Sequence, residues 1–121
     1  MKRFLLGPAV AFGLAAPAQA EMTVAQFLSK AYALQKKGAM AIFSSDLRPV
    51  VREMRSVGQQ LKVEGERRKA AGLPRRACPP ENARPKSDEL LAMMNAIPPA
   101  ERGMSLKDGF VRVMAARYPC R

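Results

Sequence analysis

The stretch TVAQFLSKAYALQKKG, residues 23–38, carries the signals of one complete α-helix. Thr23 and Gln26 match a capping box, in which each side chain binds a main-chain amide of the first turn. Two lysines before Gly38 suit the negative end of a helix, and glycine is typical of the residue that ends one. This pattern predicts a helix over residues 24–37, with apolar residues three and four positions apart on one face: Val24, Phe27, Leu28, Ala31 and Leu34.

A second and longer helix is predicted further along the chain. A Ser-Ser-Asp run ending at Asp46 offers N-cap oxygens, and Pro49 suits a first helical turn. The predicted apolar stripe of this helix consists of Leu47, Val50, Val51, Met54, Val57 and Leu61. Residues 62–69 are mostly charged, so we expect them to project into solvent as a partly frayed extension before Gly72 and the following proline end the helix.

Two shorter helices are predicted in the C-terminal part. Residues 73–86 form a proline-rich loop, after which Ser87 is expected to cap a third helix that ends at Pro98. Ser105 is expected to cap a fourth helix. No stretch alternates apolar and polar residues as a strand would. We therefore predict an all-α fold, a small bundle of about four helices in one domain, residues 21–121.

The connector between the first two helices, Ala39 to Phe43, contains only apolar residues. We interpret it as a short segment packed in the core. The alternative is an exposed apolar rim, which would suit a partner protein or homodimerisation.

Upstream of the first helix, residues 1–20 have the layout of a cleavable signal peptide. Lys2 and Arg3 precede an apolar run of about 13 residues, and a small-x-small tripeptide ends at Ala20. The run is shorter than the roughly 18–20 residues that span a bilayer, which disfavours an uncleaved anchor. We expect cleavage after Ala20, a periplasmic or secreted protein, and no membrane span.

The chain is strongly basic. Its formal net charge is +11, and removal of Lys2 and Arg3 with the leader would reduce it to +9. This favours anionic partners, namely an acidic protein, anionic lipid or cell-wall polymer. Export and the scarcity of aromatic residues argue against nucleic acid. The partner-binding candidates form one basic cluster, whose alternative interpretation is a solvated helix end: Arg67, Arg68, Lys69, Arg75 and Arg76.

Nothing in the sequence indicates an enzyme. The chain has no histidine, which excludes Ser-His-Asp and Cys-His nucleophilic sites and the common zinc sites. Glu64 and Glu66 are two positions apart, so on a helix they point in different directions and form no acid/base pair. We expect no catalytic residue, no metal site and no cofactor.

Cys78 and Cys120 are the only cysteines. In an oxidising compartment an even pair indicates a disulfide. Closing a loop of this span would remove denatured-state entropy worth about 4 kcal/mol. A catalytic thiol is the alternative, but neither cysteine has a base or a redox partner near it in sequence.

Four short motifs suggest a family. The segment MTVAQFL begins at Met22, ACPP includes Cys78, DELL begins at Asp88 ahead of an Ile-Pro stop, and RYPC ends at Cys120. Together with the leader, they resemble the small periplasmic immunity proteins of the Tai type, which protect bacteria from type VI secretion effectors. The resemblance covers residues 22–121 and implies an all-helical, disulfide-stapled and often dimeric protein that binds and blocks a cell-wall amidase.

The chain also departs from that family's pattern. Family members usually carry a second cysteine pair in the N-terminal half, where this chain has none, and the basic extension over residues 62–76 has no counterpart. We predict an exported binding protein that occludes a cell-envelope hydrolase effector. The alternative function is a cationic envelope-stress or chaperone-like protein that binds unfolded clients or anionic envelope polymers.

Overall fold

The structure is a computed structural model that describes residues 21–83 and 85–121, so the predicted signal peptide lies outside the described residues. It contains four α-helices: α1 (Val24–Lys37), α2 (Leu47–Ala70), α3 (Ser87–Asn95) and α4 (Leu106–Arg117). Two 3-10 turns, Gly38–Phe43 and Pro99–Glu101, lie between them. The described part has no strand, and none of its helices is long and apolar enough to cross a membrane. The predicted all-α fold with four helices is confirmed.

Helix α1 has the bounds that its sequence predicts, because the capping signals act locally. The Thr23 hydroxyl accepts a hydrogen bond from the Gln26 amide at 3.1 Å, and the Gln26 side chain accepts one from the Thr23 amide at 3.0 Å. At the other end Gly38 adopts a φ of 56°, which side chains disfavour and glycine tolerates. The capping box and the glycine stop are both confirmed.

The N-terminal ends of α1 and α4 lie side by side. The Val24 amide donates to the Met104 carbonyl at 3.0 Å, and the Leu106 amide donates to the Met22 carbonyl at 2.7 Å. Gly109, buried in α4, allows this approach, since a Cβ at that position would overlap the Val24 side chain. The first turns of both helices thus bind each other's flanking segments.

The hydrophobic core lies mainly between α1, α3 and α4. Its buried members are Val24, Phe27, Leu28, Val57, Met94, Ile97, Leu106 and Val113. Burying one such side chain contributes about 1.5–3 kcal/mol. Helix α2 supplies only Val57 to this set, although it is the longest helix, with 24 residues. Most of α2 therefore remains accessible.

Two predicted helix caps are wrong. Ser87 is the first residue of α3 and not its cap, since Lys86 occupies the N-cap position without a side-chain hydrogen bond. Asp46 precedes α2 but binds Lys30 at 3.3 Å in place of an α2 amide. The Ser105 cap is confirmed, because its hydroxyl accepts from the Asp108 amide at 3.1 Å.

Candidate partner-binding surface

The basic cluster lies where α2 ends and the chain reverses. The Leu73 amide donates to the Arg68 carbonyl at 2.8 Å, and the Gly72 amide donates to the Lys69 carbonyl at 3.1 Å. These two bonds, with a φ of 69° at Gly72, form a Schellman motif. The motif ends the helix and allows the following loop to return beside α2.

An apolar cavity of about 210 Å³ lies between the C-terminal half of α2, this loop and α4. Its apolar walls come from Leu61, Gly65, Ala77, Pro79, Phe110, Val111 and Met114. Its charged border consists of Glu64, Arg68, Arg75 and Arg76. We call this cavity and its border the arginine pocket.

The structure brings together three of the five predicted partner-binding residues. Arg68, Arg75 and Arg76 border the arginine pocket. Arg67 lines a separate groove together with Lys107, and Lys69 lies in neither site. The separation of Arg67 from Arg68 follows from the helix itself, in which neighbouring residues point about 100° apart.

Glu64 organises the border of the pocket. Its carboxylate forms ion pairs with Arg76 Nη1 at 3.0 Å and with Lys107 Nζ at 3.3 Å, and its side chain is only 25% exposed. Arg68 is held as well, because its Nε donates to the Pro74 carbonyl at 2.8 Å. Most of residues 62–69 are exposed, as predicted, but the prediction that they fray is wrong, because α2 is helical to Ala70 and Glu64 attaches it to the loop and to α4.

The disulfide supports the wall of the pocket. Cys78 and Cys120 are bonded with their Cα atoms 5.0 Å apart, which confirms the predicted pairing. The Cys78 amide also donates to the Tyr118 carbonyl at 2.9 Å. Because Ala77 and Pro79 flank Cys78 and both line the pocket, these bonds hold one wall of the pocket against the end of α4.

Of the three border arginines, Arg68 is hydrogen-bonded to Pro74 and Arg76 is paired with Glu64, whereas the Arg75 guanidinium binds no side chain or carbonyl of the described residues. Among residues 21–83 and 85–121, no carboxylate lies within 4.0 Å of its guanidinium group. The arrangement can therefore accept an apolar side chain in the cavity and a carboxylate at its edge. In the same residues, no cluster of cysteine and acidic side chains is suited to hold a metal ion.

The connector Gly38–Phe43 differs from its prediction. Met40, Ile42 and Phe43 are 63%, 69% and 76% exposed, so the core-packed interpretation is wrong and the exposed apolar rim is correct. The 3-10 turn is short, and α1 and α2 are the only elements with which it makes extensive contact in the described part. The polar flanks Lys37 and Ser44, which bind each other at 2.9 Å, were the available signal of a surface turn.

No protein-family model matches this chain, and comparison with curated proteins and with solved structures finds no match to it.

Proposed function

We propose that this chain is a periplasmic or secreted binding protein that attaches to a cell-envelope hydrolase effector and occludes it, as the Tai-type immunity proteins that it resembles do. The observation that carries the proposal is the arginine pocket, an apolar cavity bordered by three arginines and backed by a disulfide. Arginine and apolar anchors in a well-packed pocket dominate the affinity of many protein interfaces. The protein would act by occlusion and would catalyse no reaction.

The proposed partner presents an acidic loop that carries an apolar side chain. The apolar side chain would fill the cavity between α2 and α4, and a carboxylate beside it would bind Arg75. Arg68 and Arg76 already bind Pro74 and Glu64, so their guanidinium groups are held in place before any partner arrives. Such preorganisation lowers the entropy cost of binding.

Affinity capture from envelope extract at moderate salt, followed by mass spectrometry, tests this proposal. We expect one stoichiometric hydrolase partner. Arg75→Glu should weaken its affinity by about 30-fold or more, which corresponds to the roughly 2 kcal/mol of an interface hot spot. Lys69→Glu is the matched control, since it makes the same charge change outside the pocket. Equal losses in both variants, or no stoichiometric partner, would contradict the proposal.

The second candidate function is a cationic protein that binds unfolded clients or anionic envelope polymers. Arg67, Lys69 and Arg75 favour it, because within the described residues none of them has a carboxylate within 4.0 Å. Such binding should weaken steeply as ionic strength rises, because salt screens exposed charges. A shape-complementary protein interface should lose mainly its association rate. A salt titration of the captured material therefore separates the two functions.

A further inference from the structure

The 3-10 turn Gly38–Phe43, which we call the apolar turn, joins α1 to α2 at one end of the molecule. Three of its side chains, Met40, Ile42 and Phe43, are between 63% and 76% exposed. Side chains with so few neighbours project from a convex surface and do not line a cleft. Exposed apolar groups gathered in one short turn are typical of an interaction site.

Cations flank the apolar turn on both sides. Lys36 and Lys37 lie in the last turn of α1. Three exposed arginines, Arg48, Arg52 and Arg55, line one groove at the start of α2 together with Leu47 and Val51. No carboxylate of the described chain lies within 4.0 Å of these three guanidinium groups.

Two of the nearby acidic groups are already bound, whereas a third, Asp88, lines a groove with Leu34 and Val50. Asp46 pairs with Lys30 at 3.3 Å, and the Glu53 carboxylate accepts from the Met22 amide at 3.3 Å. The apolar turn therefore presents an apolar tip within a field of positive charge. A suitable partner must combine negative charge at its surface with an apolar layer beneath.

We propose that the apolar turn and its flanking cations form a docking surface for an anionic lipid bilayer, with Ile42 and Phe43 inserted at the level of the headgroups. Exposed apolar groups beside lysine and arginine bind anionic interfaces by apolar burial together with electrostatic attraction. A convex tip enters a fluid interface without needing a complementary cavity. A second copy of the chain fits less well, because pairing two such faces would bring like charges together.

This docking surface is separate from the arginine pocket. Helix α2 begins at Leu47, next to the apolar turn, and reaches the basic cluster at Arg67, 20 residues later. At 1.5 Å per residue, these two positions lie about 30 Å apart along the helix axis. A molecule docked through the turn would keep the pocket accessible, so the inference does not depend on the proposed function.

Vesicle flotation tests the inference. The protein is expressed from the full chain and is used in the form that results from processing by the cell. Wild type should bind phosphatidylcholine vesicles containing phosphatidylglycerol, bind pure phosphatidylcholine vesicles far less, and be released by high salt. Ile42→Ser with Phe43→Ser should weaken binding by about tenfold or more. Leu73→Ser is the control, because Leu73 is 52% exposed but lies beyond the opposite end of α2.

A second measurement uses the absence of tryptophan from the chain. Phe43→Trp introduces a single reporter whose emission should shift to the blue with anionic vesicles, while Leu73→Trp should not respond. Unshifted Phe43→Trp emission, or flotation unaffected by the double serine variant, would overturn the proposal. A third result would also overturn it: wild type does not bind vesicles, and the double serine variant abolishes either a dimer detected by sedimentation or the capture of a partner protein.

Discussion

Replacing Gly109 with alanine tests the close approach of α1 and α4. A Cβ at this position would overlap Val24 Cγ2, and it would lie 3.3 Å from Met94 Cε and 3.4 Å from Ile97 Cδ1. Val24 and Met94 are both fully buried, so neither has free space into which it can move. Val24 is also β-branched, and its χ1 rotation is restricted in a helix.

The expected magnitude is a balance of two opposing effects. Exchanging glycine for alanine inside a helix stabilises by about 0.5–1 kcal/mol, because alanine restricts the unfolded chain. Overpacking a closed core costs about 1–3 kcal/mol, and the restricted Val24 places this site in the upper half of that range. We expect Gly109→Ala to lower the free energy of unfolding by about 1–2 kcal/mol. For a domain of this size, 1 kcal/mol shifts Tm by about 4–8 °C.

Urea and thermal unfolding followed by circular dichroism, with the disulfide intact, measure this effect. Gly58→Ala is the matched control, since Gly58 lies within α2 and no atom lies within 4 Å of its added Cβ. That variant should gain about 0.5–1 kcal/mol. If Gly109→Ala is as stable as Gly58→Ala, the described contact between α1 and α4 is wrong.

Three further predictions concern the disulfide, the border of the pocket and the first helix cap. Replacing Cys78 and Cys120 together with serine should lower stability by roughly 2–5 kcal/mol, and thiol titration of unfolded wild type should find no free thiol; two free thiols would refute the pairing. Glu64→Gln removes two partly exposed ion pairs, so its cost should stay within about 1 kcal/mol. Limited trypsin digestion should nevertheless cleave the basic segment, residues 67–76, faster than in wild type, and unchanged cleavage would argue against the attachment by Glu64. Thr23→Ala should cost about 1 kcal/mol in urea unfolding and Thr23→Ser far less, because only a hydroxyl caps the Gln26 amide; equal losses would exclude the capping role.

The features that the sequence predicted correctly are those that depend on local signals. Helix α1 has its cap, its apolar spacing and its glycine stop within one continuous stretch, so its bounds follow from neighbouring residues alone. The Ser105 cap of α4 is local in the same sense. The pairing of Cys78 with Cys120 is a special case, because two cysteines leave one intramolecular pairing to choose.

Apart from the Ser87 cap, the features that the sequence did not predict depend on which elements meet. An apolar connector such as Ala39 to Phe43 is buried only where another element covers it, and the described residues supply none. The arginine pocket forms because the loop after Gly72 returns beside α4, a contact that no local pattern encodes. The division of the basic cluster could have been predicted, however, since helical spacing places Arg68 on the face of Leu61 and turns Arg67 away from Leu61.

The pairing of the α1 and α4 N-termini also has a consequence for how the chain folds while it is being synthesised. The Val24 amide binds the Met104 carbonyl, roughly 80 residues later, so α1 emerges from the ribosome long before this partner exists. Contacts of such long sequence separation slow folding, since a large loop must close first. The contact between the first turns of α1 and α4 therefore forms only after nearly all of the described residues have been synthesised.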